Sequence, residues 1–348
     1  MQLYTEDVNA SQPYKEEYLS GLKNLLECRR RELAGFRTAY MSPEALADNP
    51  EKFRRDFVSM LGWPLTAYQK DPNLPVRQSL VGEDGEKRIY RLQLEIAREL
   101  WFYGLLLLPR NLSGEQPLVI SQHGGLGTPE LCANFYGGSA NYNDMTRRVL
   151  RRGAIVFSPQ MLLWNKETFG VEYDRQQLDA AFKQVGGSIT AVEVLAIRRS
   201  LDWLLSREFD GLRPDPKRVG MIGLSYGGFY TLFTAAAEPR IVSAYASGFF
   251  NSRYRPRSSF DWIWQDAASR FLDAEVAALI APRPLYLEIG DSDELFDYRD
   301  SQSEFARLLP YYQAQNAQGK LRLSVFHGVH ELDKAEDGVD FLFAGLNC

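Results

Sequence analysis

The pattern of apolar and polar positions divides the 348-residue chain near residue 75. Before that point the pattern is polar with a helical period. Residues 14–34 and 43–61 are predicted as helices, and Leu19, Leu22, Leu25 and Leu26 recur at helix spacing ahead of Arg29-Arg30-Arg31. One apolar face of this arm must therefore be buried, on the rest of the chain or on a second subunit in a homo-oligomer. After Pro72-Asn73-Leu74-Pro75 the period changes to two. Residues 88–96 alternate, and residues 101–108 form a second β-prone run. Short apolar runs then alternate with helical segments. Residues 117–121, 154–158, 218–222, 284–289 and 321–326 read as strands. Residues 229–237 read as a helix, as do residues 188–206, with Val194, Ile197, Leu201 and Leu204 on one face. This order predicts an α/β fold with a mostly parallel central sheet, helices on both faces and antiparallel leading strands. The expected organisation is an N-terminal helical arm, residues 1–75, and a catalytic domain, residues 76–348. No internal repeat and no low-complexity segment is present.

Two aromatic-rich segments interrupt the alternation. Residues 160–187 carry Trp164, Phe169 and Tyr173, and residues 248–271 carry Phe249, Phe250, Tyr254, Phe260, Trp262 and Trp264. Connections of this kind build pocket walls at the C-terminal ends of parallel strands, and they equally fill cores. Arg253, Arg255 and Arg257 form a basic run in the second segment. It reads as a solvated loop face, or, more sharply, as a clamp for a substrate carboxylate.

The chemistry centres on Ile222-Gly223-Leu224-Ser225-Tyr226-Gly227-Gly228, which joins a predicted strand to a predicted helix. A serine wedged there must occupy a very tight turn, and small residues two before and two after it let neighbouring backbone pass. The hydroxyl is then pushed above the sheet, at a helix N-terminus. This is a nucleophile elbow. An elbow serine needs an acid and then a histidine later in the chain. The sequence has three histidines, His123, His327 and His330. Gly290-Asp291-Ser292-Asp293-Glu294 supplies the acid. Asp293 is preferred, because the loop can turn back toward the histidine, and Asp291 is read as a turn cap. His330 is preferred to His327, because it lies past a glycine on the loop rather than at the strand end. The oxyanion hole is expected from the N–H of Tyr226 and the N–H of Gly124 or Gly125. His123 is expected to hold that loop by a side-chain hydrogen bond. A phosphate loop is the rival reading of these glycines, but neither G-x-x-x-x-G-K-[ST] nor a helix-opening G-x-G-x-x-G is present.

These residues resemble α/β-hydrolases of the group that includes dienelactone hydrolase, acetyl xylan esterases and the catalytic domain of prolyl oligopeptidases. The resemblance covers roughly residues 76–348. Its carriers are His123-Gly124-Gly125, Asp215-Pro216-Lys217-Arg218-Val219 ahead of the elbow, Ala281-Pro282-Arg283-Pro284 ahead of the acidic turn, and Gly328-Val329-His330. Ser-Tyr-Gly-Gly is similar to prolyl oligopeptidases, but the chain has no room for their β-propeller. The resemblance implies a triad of Ser225, Asp293 and His330.

Composition narrows the reading. With a net charge of −5 and a pI of about 5.5, no bulk attraction to nucleic acid or anionic membrane is expected. Cys28, Cys132 and Cys348 are odd in number and widely spaced, which suggests reduced thiols rather than a disulfide framework or a zinc site. The first residues lack the basic-then-apolar pattern of a signal peptide, and no apolar run reaches about 18 residues. The expectation is a cytoplasmic serine esterase for short-acyl, acetyl-type esters, with a small-molecule substrate and neither metal nor organic cofactor. A small-peptide or aminoacyl peptidase is the alternative within enzymes, and a silent hydrolase-fold binding protein the alternative outside them.

Overall fold

The computed structural model describes residues 5–164, 171–255 and 260–347. Among them nine strands form one sheet: β1 (Val76–Glu83), β2 (Lys87–Ala97), β3 (Leu100–Pro109), β4 (Gly114–Gln122), β5 (Ile155–Pro159), β6 (Leu212–Leu224), β7 (Ile241–Ser247), β8 (Leu285–Gly290) and β9 (Leu321–Phe326). Their spatial order is β1-β2-β3-β5-β4-β6-β7-β8-β9. The first three form an antiparallel meander, and β3 meets β5 antiparallel. The neighbours from β5 to β9 are all parallel. The alternating run predicted at residues 88–96 is β2, whose inward side chains Ile89, Leu92, Leu94 and Ile96 are buried. By contrast β8 is buried at every residue, as a strand covered on both faces must be.

The helices among the described residues are α1 (Gln12–Tyr40), α2 (Pro43–Asp48), α3 (Pro50–Leu61), α4 (Pro129–Cys132), α5 (Met145–Arg151), α6 (Arg175–Gln184), α7 (Ile189–Leu204), α8 (Tyr226–Ala237), α9 (Asp273–Ala278), α10 (Tyr298–Gln313) and α11 (Asp337–Leu346). Two separate apolar clusters show that both faces of the sheet are covered. Residues of α5 and α11, such as Val149 and Leu342, pack in one, and residues of α3, α7, α8 and α10 pack in the other. Arg283 fastens the start of β8. Its buried guanidinium donates to the carbonyls of Ala235 and Ile241, at 2.7 and 2.6 Å, and burial lowers its pKa to about 10, so it stays charged.

The helix predicted over residues 43–61 is two helices. Pro50 cannot continue α2 and disfavours helical backbone at the residue before it. Asn49 accordingly leaves helical geometry (φ −144°, ψ 64°) and caps α3 by accepting the N–H of Lys52. Met41, Leu46, Phe53, Phe57 and Leu61 belong to the main core, and the ring of Phe57 lies 5.4 Å from that of Phe233. The first part of α1 departs from expectation. Leu19, Leu22, Leu25 and Leu26 are exposed, because in α1 only Leu33 and Arg37 are buried. Arg37 pairs with Glu275 at 3.1 Å, which anchors the last turns of this helix on the body of the chain.

Candidate active site

The turn at Ser225 follows from its glycines. A Cβ on Gly223 would stand 2.3 Å from the carbonyl oxygen of Gly227, and one on Gly227 would stand 2.1 Å from that of Gln122. Only glycine lets β6, α8 and the end of β4 meet this closely. Ser225 itself is held at φ 61° and ψ −120°, a conformation costly for a residue with a side chain. Its N–H donates to the carbonyl of Ser247 at 2.9 Å. Tyr226 then opens α8, so its N–H belongs to a helix N-terminus.

The ends of β8 and β9 bring Asp293 and His330 together. Asp293 Oδ2 meets His330 Nδ1 at 2.7 Å, and both side chains are buried. The other oxygen of Asp293 accepts the N–H groups of Leu295 and Phe296, at 2.8 and 2.9 Å, which orients the carboxylate. On the far side of the imidazole, Nε2 is buried and has no hydrogen-bond partner. The ring lies against the elbow. A Cβ on Gly248 would be 3.1 Å from both His330 Cε1 and Leu224 Cδ1. Ser225 and His330 line one cavity of about 320 Å³ with Gly124, Gly125, Tyr142 and Trp164. Among the described residues, His330 is the only ionisable base or acid in its wall apart from the Tyr142 phenol, and no Lys, Arg, Asp or Glu lines it.

Asp291 and His327 form a different pair. They meet at 3.0 Å with the His327 side chain almost fully exposed, and Asp291 also accepts the N–H of Gly328. The hydrogen bond from His327 holds Asp291 below the usual carboxylate range, and Asp291 raises His327 in turn.

The glycine loop is fixed from two sides. His123 is fully buried, with Nδ1 2.8 Å from the carbonyl of Gly124 and Nε2 accepting the N–H of Met161 at 2.9 Å. Burial lowers its pKa to about 4, so the ring is neutral. The N–H of Gly124 donates to the Tyr142 hydroxyl at 2.8 Å. That donor is engaged by Tyr142. Gly124 instead allows close approach, since a Cβ there would lie 3.0 Å from Ser225 Cβ.

Sequence reasoning passed over the charge network behind Tyr226. Buried Arg175 donates to Asp261 at 2.8 Å, to both oxygens of Glu193, to the carbonyl of Leu162 and to the Tyr230 hydroxyl. All five of its N–H groups are thereby used. The Tyr226 hydroxyl reaches Asp261 at 3.2 Å and accepts the indole N–H of Trp164 at the same distance. The network ties both connections, 160–187 and 248–271, to the helix that begins after Ser225. Its members lie far apart in sequence and form no local motif. Glu288 was also passed over. It accepts the Ser247 hydroxyl and the N–H of Asp333, and burial raises its pKa to about 7.

Of the expected pocket aromatics, Trp164 lines the Ser225 cavity, whereas Phe249, Phe250, Trp262 and Trp264 belong to the core. Tyr173 donates to the carbonyl of Leu163, and Phe169 lies outside the described residues. The described part of the basic run is not fully solvated. Arg253 is buried against Asp273, and the Arg255 guanidinium lies 4.4 Å over the ring of Phe296; Arg257 lies outside the described residues. Among the described residues no group of three His, Cys, Asp or Glu is placed to hold a metal ion. None of their helices is long and apolar enough to cross a membrane.

A scan against protein-family models finds no match, and a sequence search of curated proteins finds none either. Solved structures do match. A proposed acetyl xylan esterase from Bacteroides fragilis superposes with a TM-score of 0.66 at 14% identity, over 88% of this chain and 86% of that one. A methylesterase superposes with the same score at 19% identity, over 91% of this chain and 68% of the other. A glucuronoyl esterase from Solibacter usitatus gives 0.63 at 15% identity, over 84% and 92%. The chain therefore has the fold of the α/β-hydrolase esterases.

Proposed function

We propose that the protein is a serine hydrolase of carboxylic esters, with Ser225 as nucleophile, His330 as base and Asp293 as the acid that orients it. The observation that carries this reading is the unpartnered, buried Nε2 of His330, beside a strained serine and backed by a buried carboxylate. In this reading His330 takes the Ser225 proton as the hydroxyl attacks the acyl carbon. Asp293 holds Nδ1 and stabilises the imidazolium. The N–H groups of Tyr226 and Gly125 receive the oxyanion. His330 then protonates the leaving alcohol, and water repeats the cycle on the acyl-enzyme.

The solved neighbours named for ester hydrolysis support the reaction class. The wall of the cavity supports a neutral, compact acyl group, because no cation among the described residues lines it to meet a free carboxylate and its volume is about 320 Å³. Short-acyl esters, acetyl above all, fit it best. The test is hydrolysis of p-nitrophenyl esters of rising chain length beside aminoacyl-nitroanilides. Turnover that peaks at short acyl chains supports the proposal. Cleavage of the anilides without the esters would assign a peptidase instead.

A further inference from the structure

Residues 139–144, just before α5, hold three non-glycine residues in left-handed backbone: Ala140 (φ 48°), Asn143 (φ 46°) and Asp144 (φ 58°). Asparagine and aspartate tolerate this region better than alanine, and such residues persist only where their surroundings over-determine them. Here the surroundings are two loops of the candidate active site. Asn141 Nδ2 donates to the carbonyl of His330 at 2.9 Å, and the Asn141 carbonyl accepts the N–H of Leu332 at 2.9 Å. Asn143 Nδ2 donates to the Glu331 carboxylate at 2.8 Å and to the carbonyl of Leu332 at 2.6 Å. Between them in sequence, the Tyr142 hydroxyl accepts the N–H of Gly124 at 2.8 Å. Ser139 closes the segment: its hydroxyl accepts the N–H of Asp144 at 2.7 Å and donates to the Asp144 carboxylate at 3.1 Å.

We infer that Asn141 and Asn143 are positioning residues for the reaction proposed at Ser225: they hold the main chain of the loop that carries His330. The inference rests on the reading of His330 as the base. Asp293 fixes the imidazole at Nδ1, but a ring held by one hydrogen bond still moves with its backbone, and His330 stands on a loop beyond the end of β9. The N–H of His330 donates to Glu294 at 3.2 Å, so that tie leads back to the loop of Asp293 itself. The Asn141 amide is the tie from the opposite direction. Ala140, Asn141 and Tyr142 line the Ser225 cavity, and Tyr142 holds Gly124, where a Cβ would stand 3.0 Å from Ser225 Cβ. The base loop and the glycine loop are therefore fastened to adjacent residues of one strained segment, and their separation across the serine is set by a single peptide.

The test is the kinetics of the full chain on p-nitrophenyl acetate. Asn141→Ala removes one amide, and Asn143→Gly removes the other while keeping the left-handed backbone. Neither side chain is buried, so both variants should fold. Each should lower kcat about tenfold and the pair about a hundredfold, with KM within about threefold of the parent, because small displacements of a reacting group are costly. Labelling of Ser225 by a fluorophosphonate, which uses the same base, should slow in parallel. A merely structural role would lower the melting temperature and leave kcat, measured well below it, unchanged. If His330→Ala is inactive while both single variants keep kcat within about twofold, the inference fails and the reading at Ser225 stands. A rise in KM with kcat unchanged would overturn it as well. If His330→Ala stays active, the base is misassigned and both readings fall.

Discussion

Asp293 and His330 meet at 2.7 Å with both side chains buried, whereas Asp291 and His327, a few residues away on the same two loops, meet at 3.0 Å in solvent. The two pairs share their residue types and nearly their distance. Burial and what lies beyond the imidazole separate them. His330 lines the cavity of Ser225 and keeps a buried Nε2 without a hydrogen-bond partner, and His327 presents its ring to water.

Substitution should divide them accordingly. His330→Ala and Ser225→Ala are expected to lower kcat by about 10⁴-fold or more, and Asp293→Asn by a similar order. His327→Ala and Asp291→Asn should stay within a few-fold of the parent. A fluorophosphonate should label the protein once, at Ser225, as read by intact mass and peptide mapping. Labelling that survives Ser225→Ala would remove the proposed nucleophile.

Among the described residues, Arg175 is the cation bonded to two buried carboxylates behind Tyr226, those of Glu193 and Asp261. Its replacement by Met strands both, and the cost expected from breaking a buried pair is about 3–5 kcal/mol. Denaturant unfolding would measure it. A loss below about 1 kcal/mol would show that the carboxylates find other partners.

Two buried groups give opposite pH dependences. His123 has its pKa lowered by burial to about 4, so between the ordinary histidine value and 4 the unfolded chain binds a proton that the folded chain refuses. Stability from this group falls as pH drops through that window, by about 3 kcal/mol in all. Burial raises Glu288 to about 7, so its contribution falls as pH rises from the ordinary glutamate value toward 7. Relative to the parent, His123→Gln should therefore fare better at pH 4.5 than at pH 7, and Glu288→Gln better at pH 7 than at pH 4.5. Melting temperatures of the three proteins across this range test both signs, and parallel curves would refute them.

The arm should behave as two parts. Removing residues 1–24 takes away, among those described, only exposed positions and the half-buried Ser11, and the melting temperature should change by no more than a degree or two. Phe57→Ala, within the main core, should cost about 3–5 kcal/mol. If the short truncation destabilises the protein strongly or changes its oligomeric state, the exposed leucines have a partner in solution.

The sequence by itself determined the alternation that makes the sheet, the strand-to-helix position of Ser225, and the order in which the acidic turn and His330 follow it. These are local properties. Period two, period 3.6 and the demand for glycine where backbones touch are written in neighbouring residues. It also marked the apolar repeat of α1, but the period of a helix states that a face is apolar and not what covers it. β1 and β7 escaped a reading based on apolar runs, β1 because it is an edge strand with mostly exposed residues. Tertiary structure decided the rest. Arg253 left the surface because Asp273 lies opposite it, and Tyr142, 18 residues further along the chain, took the Gly124 N–H. Arg175, Glu193 and Asp261 became one network although 86 residues separate the first from the last. Such contacts depend on which side chains arrive at the same place with compatible donors and acceptors, and spacing along the chain carries no record of that.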